Sequence, residues 1–117
     1  MNDSQVNAFG HVGIQPMGSL ADTAKHLGEA LGGLAFVEDD RGRYDEYPAY
    51  IAERNGLRYA LLGVPAPEDD VRDNPSDDFT LMIEPLTPQG GVPDADVSEE
   101  TIKRIRSDGR LTCWALT

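Results

Sequence analysis

The sequence predicts an α+β fold: a mainly antiparallel sheet of about five or six strands with two short helices packed on one face. Three features lead to this class. Short apolar stretches alternate with polar residues as strands do, two stretches have the apolar spacing and capping residues of helices, and an Asn-Gly pair stands at the centre of a hairpin pattern. With 117 residues and 39% hydrophobic side chains, the chain is expected to form a single domain over residues 1–117 with a modest core.

The N-terminal third predicts a strand, a helix and a second strand. Residues 8–16 mix apolar side chains with glycines and indicate the first strand. A helix begins after Ser19, because Ser19 and Asp22 have the spacing of a capping box, and the glycine pair at 32–33 ends it. Its apolar face consists of Leu20, Ala24, Leu27 and Leu31. The apolar run 34–37 predicts a short strand that leads directly into acidic residues.

A hairpin is the clearest local prediction. Residues 47–54 and 57–64 have strand character and flank an Asn-Gly pair, which suits a type I′ turn because both of its positions take positive φ. The expected register pairs Glu53 with Arg58, Ile51 with Ala60 and Ala52 with Tyr59. The pair of Glu53 and Arg58 is expected to be a solvated cross-strand contact worth roughly 0.2–1 kcal/mol.

The C-terminal half predicts a loop, a strand, a helix and a last strand. Residues 65–76 are rich in charge and proline and predict the loop, whereas 79–84 alternate as a strand does. Ser98 is expected to cap the second helix, whose acidic first turn and later basic side chains complement the helix dipole. Gly109 ends it. The final strand, 111–116, contains a single cysteine that is expected to be a buried, unreactive thiol.

The negative charge of the chain is large and unevenly distributed. The net charge is −11, and most of the acidic residues lie between Glu38 and Asp78. Such a surface disfavours direct binding to nucleic acid, whose phosphates require basic groups, and binding to anionic membranes. It favours a positively charged protein as partner.

Tyrosines accompany the first acidic cluster. Because a tyrosine ring packs well while a carboxylate accepts hydrogen bonds from arginine, this combination predicts a contact surface for a basic partner. Tyr50 and Tyr59 fall inside the hairpin and are as consistent with its core as with such a surface. The predicted contact residues are Glu38, Asp39, Asp40, Tyr44, Asp45, Glu46, Tyr47, Asp69, Asp70 and Asp73.

Recognisable catalytic and metal-binding motifs are absent from the sequence. His11 and His26 have no second histidine or cysteine at ligand spacing, and the early glycines form no phosphate-binding motif. Residues 69–73 and 77–78 carry acids that suggest at most a weak cation site, because the pattern of an EF-hand is missing. No catalytic residue, cofactor or metal is therefore expected. Residues 1–6 do not have the pattern of a signal peptide, so the cytoplasm is the expected location.

Four segments of the chain resemble the immunity proteins of bacterial contact-dependent growth inhibition systems, and the resemblance covers roughly residues 8 to 84. The segments are Phe9-Gly10-His11-Val12-Gly13-Ile14, Tyr44-Asp45-Glu46-Tyr47-Pro48-Ala49-Tyr50, Tyr59-Ala60-Leu61-Leu62-Gly63-Val64-Pro65 and Asp77-Asp78-Phe79. The resemblance implies a small, non-enzymatic cytoplasmic inhibitor. Its partner would be the C-terminal toxin domain of a large secreted effector, and many such toxins are nucleases, including enzymes that cut tRNA.

Two other functions remain open at the level of the sequence. The chain could be an acidic adaptor, or a module that mimics nucleic acid, and bind a different basic protein. It could also be a small enzyme that uses His11 or His26 together with a buried acid.

Overall fold

A computed structural model describes residues 7–39, 47–64, 78–87, 90 and 94–116 and confirms the α+β class. In these ranges the chain forms seven strands and two helices. The strands are β1 (Asn7–Ile14), β2 (Val37–Glu38), β3 (Ala49–Arg54), β4 (Leu57–Leu62), β5 (Phe79–Pro85), β6 (Asp94–Asp96) and β7 (Cys113–Ala115), and the helices are α1 (Leu20–Ala30) and α2 (Ser98–Asp108).

The strands form one mainly antiparallel sheet with the order β2-β3-β4-β5-β1-β6. β7 also pairs with β1, so β6 and β7 divide one edge of that strand between them. Residues Asn7–Phe9 pair in parallel with β6, and Val12–Ile14 pair antiparallel with β7. The other edge of β1 pairs antiparallel with β5.

Both helices cover the same face of the sheet, as predicted. Their apolar stripes and every second residue of the central strands form one hydrophobic cluster. The sheet contributes Val12, Ile14, Ala52, Leu61, Phe79, Leu81 and Ile83, and the helical segments contribute Ala24, Leu27, Leu31, Ile102 and Ile105. The side chains between these core positions along each strand point to the other face, which we call the open face.

The predicted capping box of α1 and the predicted Asn-Gly turn are confirmed. The Ser19 side chain accepts a hydrogen bond from the Asp22 N–H, and Asp22 accepts one from the Ser19 N–H, which together make the capping box of α1. Asn55 and Gly56 have φ values of 53° and 78°, as a type I′ turn requires. The register of the β3–β4 hairpin is the predicted one.

Arg58 makes a wider contact than the predicted pair. Its Nε lies 3.7 Å from Glu53 Oε2, and its Nη1 donates to Glu84 Oε1 at 3.3 Å. In the strand pairing, Arg58 of β4 lies opposite Glu53 of β3 on one side and opposite Glu84 of β5 on the other. A single arginine therefore links three neighbouring strands on the open face.

The prediction that Ser98 caps α2 is wrong. Ser98 is the first residue of the helix, after Val97, and its hydroxyl accepts a hydrogen bond from the His11 N–H of β1 at 2.9 Å. The N–H of Ser98 donates instead to Asp96 Oδ1 at 2.9 Å. His11 lies between the residues that pair with β6 and those that pair with β7, and its N–H bonds to this hydroxyl instead of to a strand carbonyl.

One strand is shorter than predicted, and another was not predicted. The strand expected over 34–37 is reduced to Val37–Glu38, because the Gly28 carbonyl accepts hydrogen bonds from the N–H groups of Gly33 and Leu34 and holds that segment against α1. β6 was not predicted, because its sequence Asp-Ala-Asp has no β-branched or aromatic residue. Its strand form comes from pairing with β1.

Two arginines from different elements bind the C-terminal end of α1. Arg54 Nη1 and Arg104 Nη2 both donate to the Leu31 carbonyl oxygen, at 3.0 and 3.1 Å. Arg54 Nη2 also donates to the Gly32 carbonyl at 3.2 Å. Positive charge at this position favours the helix dipole and satisfies carbonyls that the helix leaves unpaired.

Replacing Ser98 tests the bond between α2 and β1. Ser98→Ala leaves the His11 N–H without its acceptor, so we expect a loss of about 1–3 kcal/mol in the free energy of unfolding, measured by urea denaturation. The matched control is Ser107→Ala in the same helix, where an exposed hydroxyl bonds only to the Lys103 carbonyl. Equal stability of the two variants would contradict the assigned role of Ser98.

Replacing Gly13 tests the close approach of β7 to β1. Gly13 pairs with Trp114, and an added Cβ would overlap the indole ring. We expect Gly13→Ala to cost about 1–3 kcal/mol of stability, as overpacking does. Gly90→Ala, where a Cβ meets nothing within 4 Å, is the control. The cost of Gly13→Ala should shrink in a Trp114→Ala background, and an unchanged cost there would contradict the overlap.

Candidate functional site

Both acidic segments of the chain begin and end at the same end of the sheet. Residues 40–46 join β2 to β3, and residues 65–77 join β4 to β5, and both pairs of strands are antiparallel. Two main-chain bonds draw the strand ends together, from Asp39 N–H to the Ala49 carbonyl at 2.9 Å and from Gly63 N–H to the Pro48 carbonyl at 2.7 Å. We call this the acidic end of the sheet, bounded by Asp39, Tyr47, Val64 and Asp78.

The acidic end collects much of the charge of the chain. Five acidic residues lie between 38 and 46 and six between 68 and 78, out of 21 in the whole chain. The same two stretches contain only three basic residues, Arg41, Arg43 and Arg72. The sheet topology therefore attaches both negatively charged segments to strand ends on the same side of the sheet. The sequence alone does not reveal that these strand ends are neighbours.

Three of the ten predicted contact residues lie within the described part of the chain. Glu38 is exposed on β2, which forms one edge of the sheet; Asp39 is partly exposed just after it, and Tyr47 is partly buried two residues before β3. The remaining seven lie outside the described residues and stay predictions: Asp40, Tyr44, Asp45, Glu46, Asp69, Asp70 and Asp73.

A cleft of about 340 Å³ opens between α1, the segment 33–36 that leads to the β2 edge, and Tyr50 of β3. Phe36 and Tyr50 form apolar walls, and both rings pack against the core. The lining residues are Ala21, Ala24, Lys25, Glu29, Gly33, Leu34, Ala35, Phe36 and Tyr50. Tyr50 is thus part of the hairpin core, as one interpretation of the sequence holds, and it also lines a surface cleft. Tyr59 packs against the core as well.

A second groove, of about 420 Å³, lies at the opposite edge of the sheet between α2 and β7. Trp114, Ile102 and Leu116 give it an apolar side, while Asp96, Glu99, Lys103 and Arg106 give it charges of both signs. Arg106 Nη2 donates to the Cys113 carbonyl at 3.0 Å. Because its charges are mixed, this groove has no electrostatic preference for a basic or an acidic ligand.

The two histidines lie apart. His11 is exposed on the open face, where it pairs with Met82, and His26 lies on α1, which covers the other face. His26 Nδ1 is 3.9 Å from Glu29 Oε1 and 3.4 Å from Arg110 Nη1. The sheet therefore separates the two imidazoles instead of bringing them into one site.

Among the described residues, no group of three or more His, Cys, Asp or Glu side chains is placed to hold a metal ion. The acids at 69, 70, 73 and 77, considered for a weak cation site, lie outside those residues, and Asp78 is described at their border. Neither α1 nor α2 has the length and apolar character needed to cross a membrane. Cys113 is buried as predicted, and burial raises the pKa of its thiol.

Three acidic residues away from the acidic end serve the fold. Hydrogen bonds from Ser19 lower the pKa of Asp22, those from Ser98 lower the pKa of Asp96, and those from Arg110 lower the pKa of Asp108. Each of these carboxylates caps a helix or fixes a turn.

Comparisons with protein families, with curated proteins and with solved structures find no match to this chain.

The bonds from Ser98 to Asp96 predict a pH dependence of stability. The pKa of Asp96 is lower in the folded protein than the ordinary value of 3.8, so its contribution is present above that value and is lost as the pH falls through the folded pKa. Asp96→Asn keeps the side-chain oxygen and removes the titration. We expect wild type to be more stable than this variant at about pH 7, with a gap that closes below about pH 3.8.

Urea denaturation of both proteins at a series of pH values measures that gap. A gap that stays constant down to about pH 2 would contradict the linkage of Asp96 to folding.

Proposed function

We propose that this protein is an immunity-type inhibitor that acts in the cytoplasm by binding a basic toxin domain and covering its substrate-binding or active site. The observation that carries the proposal is the topology of the acidic end, where both acidic segments connect strand ends at the same end of one sheet. The net charge of −11 supports it, as does the resemblance of four segments to immunity proteins of contact-dependent growth inhibition systems.

The proposed partner is a nuclease, with enzymes that cut tRNA among the candidates, because a nuclease carries a basic cleft for the phosphates of its substrate. An acidic protein is attracted by the same field that attracts the substrate. Electrostatic steering raises association rate constants up to about 10⁸–10⁹ M⁻¹s⁻¹ at low salt. Fast capture suits an inhibitor of a catalytic toxin, since every free toxin molecule turns over many substrates.

The described part of the proposed contact surface is the β2 edge and the start of β3. Glu38 and Asp39 supply carboxylates, and Tyr47, two residues before β3, supplies an aromatic ring at the same end of the sheet. Carboxylates accept paired hydrogen bonds from arginine, and tyrosine contributes packing area with little loss of side-chain freedom. The predicted residues of the two acidic segments would add charge around this support.

Neutralising three acids of the first cluster tests the proposal. The variant Glu38→Gln/Asp39→Asn/Asp40→Asn should associate with the proposed toxin domain, sought as the product of the adjacent gene, at least about tenfold more slowly at low salt. The difference should diminish as salt rises to about 0.5 M, because exposed charges are then screened. Association and dissociation rates measured by surface plasmon resonance check both expectations.

The control neutralises three exposed acids at the opposite edge of the sheet, in Asp94→Asn/Glu99→Gln/Glu100→Gln. It removes the same amount of charge, so it separates a local contact from the effect of net charge. Equal loss of association rate in both triple variants would contradict a contact at the acidic end. Tight binding without inhibition of the toxin would favour the acidic adaptor instead, and circular dichroism confirms that both variants fold.

A further inference from the structure

The cleft between α1 and the strand edge has two aromatic walls that the fold holds in place. Phe36 and Tyr50 are both partly buried and both pack against the hydrophobic core. The segment before Phe36 is fixed by the bonds from Gly33 and Leu34 to the Gly28 carbonyl at 2.8 and 2.9 Å. A ligand that enters the cleft therefore meets preformed apolar surfaces and does not have to order them.

An exposed carboxylate stands next to this cleft. Glu38 pairs directly with Tyr50 across the β2–β3 ladder, so the two side chains share one face of the sheet with Cβ atoms about 5 Å apart. Tyr50 in turn pairs with Leu61, a core residue, which places this face on the side of α1. Among the described residues no ion pair involves Glu38, whereas Glu29, on the helix side, accepts from Arg110 Nη1 at 2.6 Å.

We propose that the cleft receives an arginine side chain of the basic partner and is the anchor point of the acidic end. The aliphatic stem would pack between Phe36 and Tyr50, and the guanidinium would lie against the Tyr50 ring and bind the Glu38 carboxylate. This inference rests on the proposed function, since the arginine belongs to the same basic partner. The inference adds to the proposed function one binding site within the contact surface and states that this site selects arginine.

The chemistry favours arginine over the other side chains that a partner could offer. A planar guanidinium stacks on an aromatic ring and forms two parallel hydrogen bonds to a carboxylate, and it is less strongly hydrated than the ammonium of lysine. A purely apolar side chain would fill the cleft but would bring an unpaired carboxylate into a partly desolvated position. On the helix side the cleft is lined by Lys25 and by Glu29, and because Glu29 is already paired with Arg110, the carboxylate available to a ligand is that of Glu38.

Two peptides of equal charge test the site without a toxin. Hexa-arginine and hexa-lysine are titrated separately into the ¹⁵N-labelled protein. The site predicts that hexa-arginine shifts the amide signals of Phe36 and Tyr50 at least about threefold more than hexa-lysine does at the same concentration. Equal shifts would mean attraction by charge alone and would overturn the assignment.

Two variants, each of which fills one groove with a large side chain, provide a test and its matched control. Ala35→Trp fills the cleft, and Ala115→Trp fills the groove between α2 and β7; both alanines are exposed and line their grooves. Only Ala35→Trp should abolish the preference for hexa-arginine. If Ala35→Trp does not fold, Ala21→Trp fills the same cleft from the helix. A preference that survives a filled cleft would overturn the proposal.

The toxin domain separates this proposal from the proposed function. Ala35→Trp should raise the dissociation rate of the complex about tenfold and leave the association rate nearly unchanged, because an anchored side chain acts on dissociation. If the complex forms and Ala35→Trp dissociates as slowly as wild type, the anchor is wrong and the inhibitor function stands. If the toxin domain does not bind at all, the proposed function is wrong, and the peptide titration still decides whether the cleft selects arginine.

Discussion

The fold depends on the hydrogen bonds made by one edge of β1, the edge that pairs with β6 and β7. β6 pairs only with Asn7–Phe9 and β7 only with Val12–Ile14, so His11 lies at the change of partner. The Ser98 hydroxyl accepts the His11 N–H, and the Val97 N–H donates to the Phe9 carbonyl at 2.8 Å. Leaving the partly buried His11 N–H without an acceptor would cost up to about 1–3 kcal/mol, so the bond holds the start of α2 against β1. From there α2 covers the core and the chain returns as β7.

The strand connections gather the two acidic segments at one end of the strands, while the other end carries charges of both signs, including Glu53 and Glu84 beside Arg58. At one end of the sheet the connections after β2 and β4 carry the two acidic segments, and at the other end Arg54 and Arg104 bind the carbonyl groups that end α1. Acids elsewhere, such as Asp22 and Asp96, are held in capping hydrogen bonds. In the proposed function the two acidic segments attract a basic partner, and in the proposed anchor the cleft beside Glu38 receives one of its side chains.

Local signals in the sequence predict much of this fold, and long-range pairing decides the rest. The capping box at Ser19 and the Asn-Gly turn involve residues within three positions of each other, so both could be predicted with their register. The bond between Ser98 and His11 joins residues 87 positions apart, and β6 is a strand only through β1. The cleft could not be predicted from the sequence, because it depends on the distance between α1 and β3 in the folded chain. Leu34 and Phe36 point inward and Ala35 and Val37 outward, and because all four residues are apolar, the sequence carries no signal of this alternation.

Hydrogen–deuterium exchange of the complex with the toxin domain tests the central claim most directly, because it reports which backbone amides the partner covers. The account predicts slower exchange at Val37–Asp39 and at 47–50, together with the segment that lines the cleft, and unchanged exchange at the Asn55-Gly56 turn and in β6. Protection confined to that turn, or to β6 and the start of α2, would contradict the acidic end as the contact surface.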